Sequence, residues 1–151
     1  MTVDARVFLV DENDDVLDGL AAWISGCPGF QVAGVAHSAR EAYERIFLLS
    51  PDIILMDISL PDANALDVTR RIKSRAGAPV VILMTFHDIN AVRIKAGSAG
   101  ADACLSKPEI MVDFPRVAGE LWRERLGSLG LGETPRGARG AGRTPQRAGE
   151  E

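Results

Sequence analysis

Ile53-Ile54-Leu55-Met56 is an unbroken apolar run between Asp52 and Asp57, with Pro61 four residues beyond the second acid. A run this short, bounded by acids and a proline, reads as a strand buried on both faces. Such a strand needs helices on both sides of its sheet, which excludes a half-exposed antiparallel sheet. Asp57 then stands where the strand ends and a loop begins. In an open parallel sheet that edge is where ligands bind.

The rest of the chain repeats the pattern. Arg6–Val10 is a first strand that ends in the acidic loop Asp11–Asp15, where Asp14 or Asp15 caps a helix. Leu17, Leu20, Ala21 and Ile24 fall on one face of that helix, and Cys27-Pro28-Gly29 stops it. Gln31–Ala36 is the second strand. Ser38 caps a second helix with Glu41 as its capping-box partner, and Ala42, Ile46 and Leu49 form the buried stripe. Ala65, Val68 and Ile72 mark a third helix. Pro79–Thr85 is a fourth strand, again apolar throughout and again ending on a polar residue. Ile89, Val92, Ala96 and Ala99 mark a fourth helix that Gly97 and Ser98 weaken. Ala103–Ser106 is a short fifth strand running into Lys107-Pro108. The spacing predicts a fifth helix capped by Asp113, with Pro115 in its first turn, a stripe of Phe114, Val117, Ala118 and Leu121, and an end at Gly127.

Five strand–helix units without a hairpin signal imply an α/β fold with a parallel sheet covered on both faces. The five-strand doubly wound arrangement has order 2-1-3-4-5, with its crevice between the first and third strands. Asp11 and Glu12 end the first strand and Asp57 the third, so the acids meet at that crevice. Thr85 and Lys107 come from the same edge. The length of 151 residues and 46% apolar content suit one domain. Residues 127–151 form a Gly/Arg/Pro-rich tail with no apolar period and are read as disordered. The tail carries four Arg against three Glu, a net of +1, so of the chain's −4 residues 1–126 carry −5, which gives no reason to expect nucleic acid as a partner. No helix-turn-helix segment follows Gly127. Cys27 and Cys104 form no CxxC pair, and no basic-then-apolar leader or long apolar span is present. The expectation is a cytoplasmic protein without membrane association.

Three carboxylates at one point repel each other unless a divalent cation sits among them, and an oxygen-only set suits magnesium. A carboxylate can attack phosphorus to form an aspartyl phosphate. A metal and an ammonium then share the charge of the transferring group, and a hydroxyl such as that of Thr85 can donate to it.

This constellation resembles the receiver domains of two-component response regulators. The resemblance spans residues 5–126. It rests on Val10-Asp11-Glu12, Ile54-Leu55-Met56-Asp57 with Leu60-Pro61, Thr85, Ala99-Gly100-Ala101-Asp102, and Leu105-Ser106-Lys107-Pro108. It implies the flavodoxin-like receiver fold, with Asp57 as phosphoacceptor. Glu12 matches the direct metal-binding acid and Asp11 its water-mediated partner. The Ser59 carbonyl falls at the third metal ligand. Thr85 and Lys107 match the switch hydroxyl and the phosphate-binding lysine. The implied cofactor is Mg2+. The implied phosphodonor is a histidine kinase or phosphotransfer protein, with an output protein docking on helix 4, strand 5 and helix 5. The implied chemistry is confined to the protein's own phosphorylation and dephosphorylation, with no turnover of an external substrate.

Four positions depart from the family pattern. Phe86 follows Thr85 where a small residue is usual, and its ring would hinder entry of small phosphodonors or water. Cys104 stands where an aromatic ring usually couples to the switch hydroxyl. Ala65 replaces a common glycine, and Gly97 interrupts the output helix. His87 is either a modulator of dephosphorylation or a surface loop histidine. Trp23 and Trp122 belong to neighbouring helices, as core-edge packing or as a homodimer contact. Two alternative functions stand beside the phosphorylated switch: a phosphorylation-independent interaction module, and the receiver part of a longer transcriptional regulator.

Overall fold

The computed structural model describes residues 4–130. Five strands alternate with five helices: β1 (Ala5–Val10), α1 (Asp14–Ser25), β2 (Phe30–Ala36), α2 (Ala39–Leu49), β3 (Ile53–Asp57), α3 (Ala65–Lys73), β4 (Val80–Thr85), α4 (Ile89–Ser98), β5 (Ala103–Ser106) and α5 (Ile110–Ser128). All strand pairs are parallel and the sheet order is β2-β1-β3-β4-β5, as the alternation predicts.

The apolar runs feed two cores. Val7, Leu9, Ile53, Leu55, Ile82, Met84 and Leu105 point to one side, where Leu17, Ile24 and Phe114 of α1 and α5 cover them. Phe8, Val10, Ile54, Met56, Val81, Leu83 and Cys104 point to the other, under Ile46, Ile72 and Ala96 of α2, α3 and α4. Adjacent residues on a strand face opposite ways, so each run must be apolar throughout. Gly34 on β2 lies where an added Cβ would come within 2.8 Å of Leu49 Cδ1, so a larger residue there would make the Leu49 side chain of α2 shift.

Register places the strand ends in lateral rows. Val10 pairs with Met56, Met56 with Leu83, and Leu83 with Cys104. One residue onward, Asp57 pairs with Met84, and beyond it Thr85 pairs with Ser106. The polar residues therefore crown a sheet that is apolar up to the row beneath them.

The helix starts differ from the expectations in three places. Asn13, not Asp14 or Asp15, caps α1, and its side chain accepts from the Val16 N–H. Asp14 instead contacts His37 Nε2 at 2.5 Å. Ser38 does cap α2, but the Glu41 carboxylate reaches back to the His37 N–H rather than to that of Ser38. The third difference is the start of α5, at Ile110, after a single turn of 3-10 helix at Lys107–Glu109. Asp113 lies in its first turn and is not the cap, and Pro115 lies inside the helix. Burial of Ile110 and Phe114 in the α1-side core extends the apolar stripe one turn earlier than the Asp–Pro signal suggests. The N–H that Pro115 lacks would have bonded the carbonyl of Met111, on an exposed turn where water can serve instead.

At its far end α5 runs through Gly127 to Ser128, and the left-handed turn comes at Gly130 with φ 77°. The folded part thus passes the expected boundary at residue 126. The expectation of disorder for residues 131–151 lies outside the described residues. No helix among the described residues is long and apolar enough to cross a membrane.

Candidate functional site

Lys107 and two carboxylates meet at the crevice between β1 and β3. Lys107 Nζ lies 3.0 Å from Asp57 Oδ2 and donates to it, and lies 2.6 Å from Asp11 Oδ2. All three side chains are nearly closed to solvent. β1 and β3 bring the acids, and the turn after β5 brings the lysine 50 residues away in sequence. Burial pulls the Lys107 ammonium down, but its contacts with Asp11 and Asp57 outweigh this and hold it above the ordinary lysine range.

Main-chain donors fix the carboxylates further. The Asn13 N–H donates to Asp11 Oδ1 at 2.9 Å, and the Ser59 N–H donates to Asp57 Oδ1 at 3.0 Å. Asp11 Oδ2 is buried and faces the Lys107 ammonium at 2.6 Å, with no N–H donor beside it. A buried carboxylate oxygen with an unspent lone pair, among other hard oxygen donors, fits a magnesium ion. Among the described residues no three Asp, Glu, His or Cys side chains converge in a metal-binding cluster. Asp11 and Asp57 are brought together, whereas Glu12 is exposed on the loop after β1. A magnesium ion here would be held by Asp11 and Asp57, with the Ser59 carbonyl and Glu12 as the further oxygen donors offered by the loops after β3 and β1.

Thr85 is 0% exposed, and its Oγ1 accepts from the His87 N–H at 2.9 Å. That bond leaves the hydroxyl proton free to donate elsewhere. His87 thus acts on the site through its backbone, while the residue itself is exposed. Phe86 is 69% exposed, yet its ring centroid lies 4.7 Å from Lys107 Nζ, a cation–π distance. The departure from a small residue therefore places an aromatic face on the lysine of the site.

Cys104 is buried, and burial raises its thiol above the ordinary range, with Arg93 opposing in part. It lies one row beneath the acids and also lines a groove of about 590 Å³ with Ile89, Arg93 and Ala96 of α4 and Val117 of α5. Trp23 packs edge-on against Phe114 of α5, with ring centroids 6.2 Å apart, and Trp122 packs against the same core. This is the core-edge reading of the two tryptophans.

Two acids show their partners only in three dimensions, Asp102, whose motif the sequence marked, and Asp62, which it did not. Asp102 Oδ2 accepts from both Lys73 Nζ and the Val81 N–H, tying the loop before β5 to α3 and to the start of β4. Asp62, in the loop after β3, accepts from two N–H groups at the start of α2. No local signal marks the partners of either, since each lies more than 20 residues away.

The family model for the response regulator receiver domain matches residues 7–115, so this chain belongs to the response-regulator receiver family. It is 34% identical over 109 residues to a protein-glutamate methylesterase/protein-glutamine glutaminase of Rhizobium etli, which covers 72% of this chain and 31% of that protein. The receiver of a LuxR-family two-component response regulator from Aurantimonas superposes with a TM-score of 0.73 at 31% identity, covering 79% of this chain and 85% of that one. The response regulator domain of Thermotoga maritima CheB gives a TM-score of 0.64 at 31% identity, covering 80% and 92%. The chain thus spans about a third of the methylesterase it matches and most of each of these solved chains.

Proposed function

We propose that this receiver accepts a phosphoryl group on Asp57 from the phosphohistidine of a histidine kinase or phosphotransfer protein, and that the phosphorylated form changes its binding to an output partner. The observation that carries this reading is the Lys107 ammonium held between Asp11 and Asp57, with the Thr85 hydroxyl on the neighbouring strand end. An oxygen of Asp57 attacks phosphorus as the P–N bond to the donor imidazole breaks. The imidazole leaves with that electron pair and takes a proton from solvent. Lys107 stays charged throughout and transfers its contact from the Asp57 carboxylate to a phosphoryl oxygen. Thr85 donates its free hydroxyl proton to another phosphoryl oxygen, drawing the end of β4 inward. Magnesium, held by Asp11, Glu12, Asp57 and the Ser59 carbonyl, supplies charge neutralisation at the transferring group.

Phosphorylation then shifts a population between two arrangements of the β4–α4 and β5–α5 segments, by contacts that exist only with the phosphoryl group. The groove along α4, β5 and α5 is the surface on which an output protein docks. The chemistry is the domain's own phosphorylation and dephosphorylation. Direct binding to nucleic acid forms no part of this reading, and any such role belongs to a longer regulator of which this is the receiver. The setting is the cytoplasm, where a kinase's catalytic part meets its receiver.

Incubation with magnesium and a phosphohistidine donor, read by intact mass, tests the assignment. The wild type is expected to gain one phosphoryl adduct and Asp57→Asn none. An adduct retained by Asp57→Asn overturns it. A second reading, an interaction module indifferent to phosphorylation, is favoured by the Phe86 ring on Lys107 and by Cys104 in place of an aromatic. Partner binding unchanged by Asp57→Asn and by beryllofluoride would select that reading.

A further inference from the structure

We infer that Asp62 is a positioning residue for the magnesium site, holding the loop that presents the Ser59 carbonyl by clamping it to the start of α2. Asp62 Oδ1 accepts from the Ala39 N–H at 2.9 Å and Oδ2 from the Arg40 N–H at 3.0 Å. The first N–H groups of a helix have no partner within it, so a carboxylate from another segment is well matched to them. These bonds lower the Asp62 carboxyl below its ordinary range, the Ala39 bond most of all, although the side chain lies at the surface and desolvation opposes in part.

The position of the clamp gives it its effect. Upstream, the loop is fixed where the Ile58 N–H meets the Met84 carbonyl and the Ser59 N–H meets Asp57. Downstream, Asn64 caps α3 by accepting from the Leu66 N–H. Asp62 is the intermediate anchor, three residues from Ser59. Without it the span from Ser59 to Asn64 keeps no hydrogen bond between its ends, and only Leu60, packed against the α2–α3 side of the core, still ties it down. The element it grips is itself firm, because α2 and α3 are locked by an aromatic–guanidinium ladder. The Arg71 guanidinium carbon lies 4.2 Å from the Tyr43 ring centroid, Tyr43 and Phe47 meet edge-on at 4.9 Å, and the Arg75 guanidinium carbon lies 3.9 Å from the Phe47 centroid. A backbone carbonyl serves a small, geometrically strict cation only if its peptide is held in place.

The inference rests on the proposed magnesium site, and its test separates the two. Magnesium affinity of the full chain is measured by calorimetry, beside amide hydrogen exchange of residues 58–64 in metal-free protein. Asp62→Ala is expected to bind magnesium about tenfold more weakly and to exchange faster across the loop. Asp62→Asn keeps one acceptor oxygen and is expected to fall between. Ser38→Ala removes the other cap of the same helix, so it lowers the melting temperature similarly but leaves magnesium affinity at the wild-type value. A wild type that binds no magnesium overturns both the site and the inference. A wild type that binds, with Asp62→Ala binding equally well or Ser38→Ala weakening binding as much, overturns the inference alone.

Discussion

The acid crevice and the α4 side of the sheet lie a few residues apart, yet they are built on opposite plans. At the crevice β3 is buried from end to end, and β1 nearly so. The two acids accept backbone N–H groups as well as facing the lysine, so their positions are set several times over. On the other side, β5 has four residues, and within α4 only Ala96 is buried, while Ile94 is 77% exposed. Sparse burial and a helix carrying Gly97 make α4 the element that moves at least cost. A site that must hold a reacting group still while signalling a change gains from that division. In the function proposed above, the rigid half would do the chemistry and the thin half would report it.

Removing the charge that joins the rigid half should have the largest effect. Lys107→Met leaves Asp11 and Asp57 facing each other in a closed site, and is expected to cost about 3 kcal/mol at neutral pH, measured by urea unfolding. The wild type should also show an alkaline dependence. The Lys107 ammonium is held above its ordinary value, so its stabilising contribution is complete below pH 10.5 and is lost as pH climbs through the raised value. The variant should lack that alkaline step. Equal stability of variant and wild type across pH would show that the two halves are not built differently after all.

A smaller effect probes the thin half directly. Buried and held above the ordinary thiol range, Cys104 should alkylate about tenfold more slowly than the half-buried Cys27 at neutral pH, read by peptide mass mapping. Beryllofluoride should quicken alkylation at Cys104 alone if α4 shifts away from β5. An unchanged rate would place the reporting motion elsewhere.

The smallest expected change in stability is at the border between the halves. Phe86→Ala removes an exposed ring, so unfolding should change by no more than about 1 kcal/mol. Its cation–π contact with Lys107 is worth about 0.5–1 kcal/mol, and the ring covers the lysine of the pocket. Phosphorylation by a small donor, and loss of the aspartyl phosphate, should both run a few-fold faster in the variant. Unchanged rates would make Phe86 a bystander to the chemistry.

Much of the rigid half was legible because its signals are local. Runs such as Ile53–Met56 and Val80–Met84 define strands buried on both faces, and their polar ends name Asp57 and Thr85. The thin half was legible only as departures, with Phe86, Gly97 and Cys104 marked as unusual but their contacts unstated. Helix starts were read less well. The Asp113–Pro115 signal lost to burial of Ile110 and Phe114, and Asn13 won the α1 cap that the neighbouring acids also suit.

Sequence alone determined the alternation and which strand ends carry acid, hydroxyl and lysine, because each follows from periodicity within a few residues, while the sheet order came from the doubly wound arrangement that such alternation implies. Only the tertiary structure decided that Lys107 bridges Asp11 and Asp57 while Glu12 stays in solvent, that Phe86 lies over the lysine, and that Asp62 grips α2. These contacts join segments far apart in the chain, where spacing carries no information and only packing sets the distance.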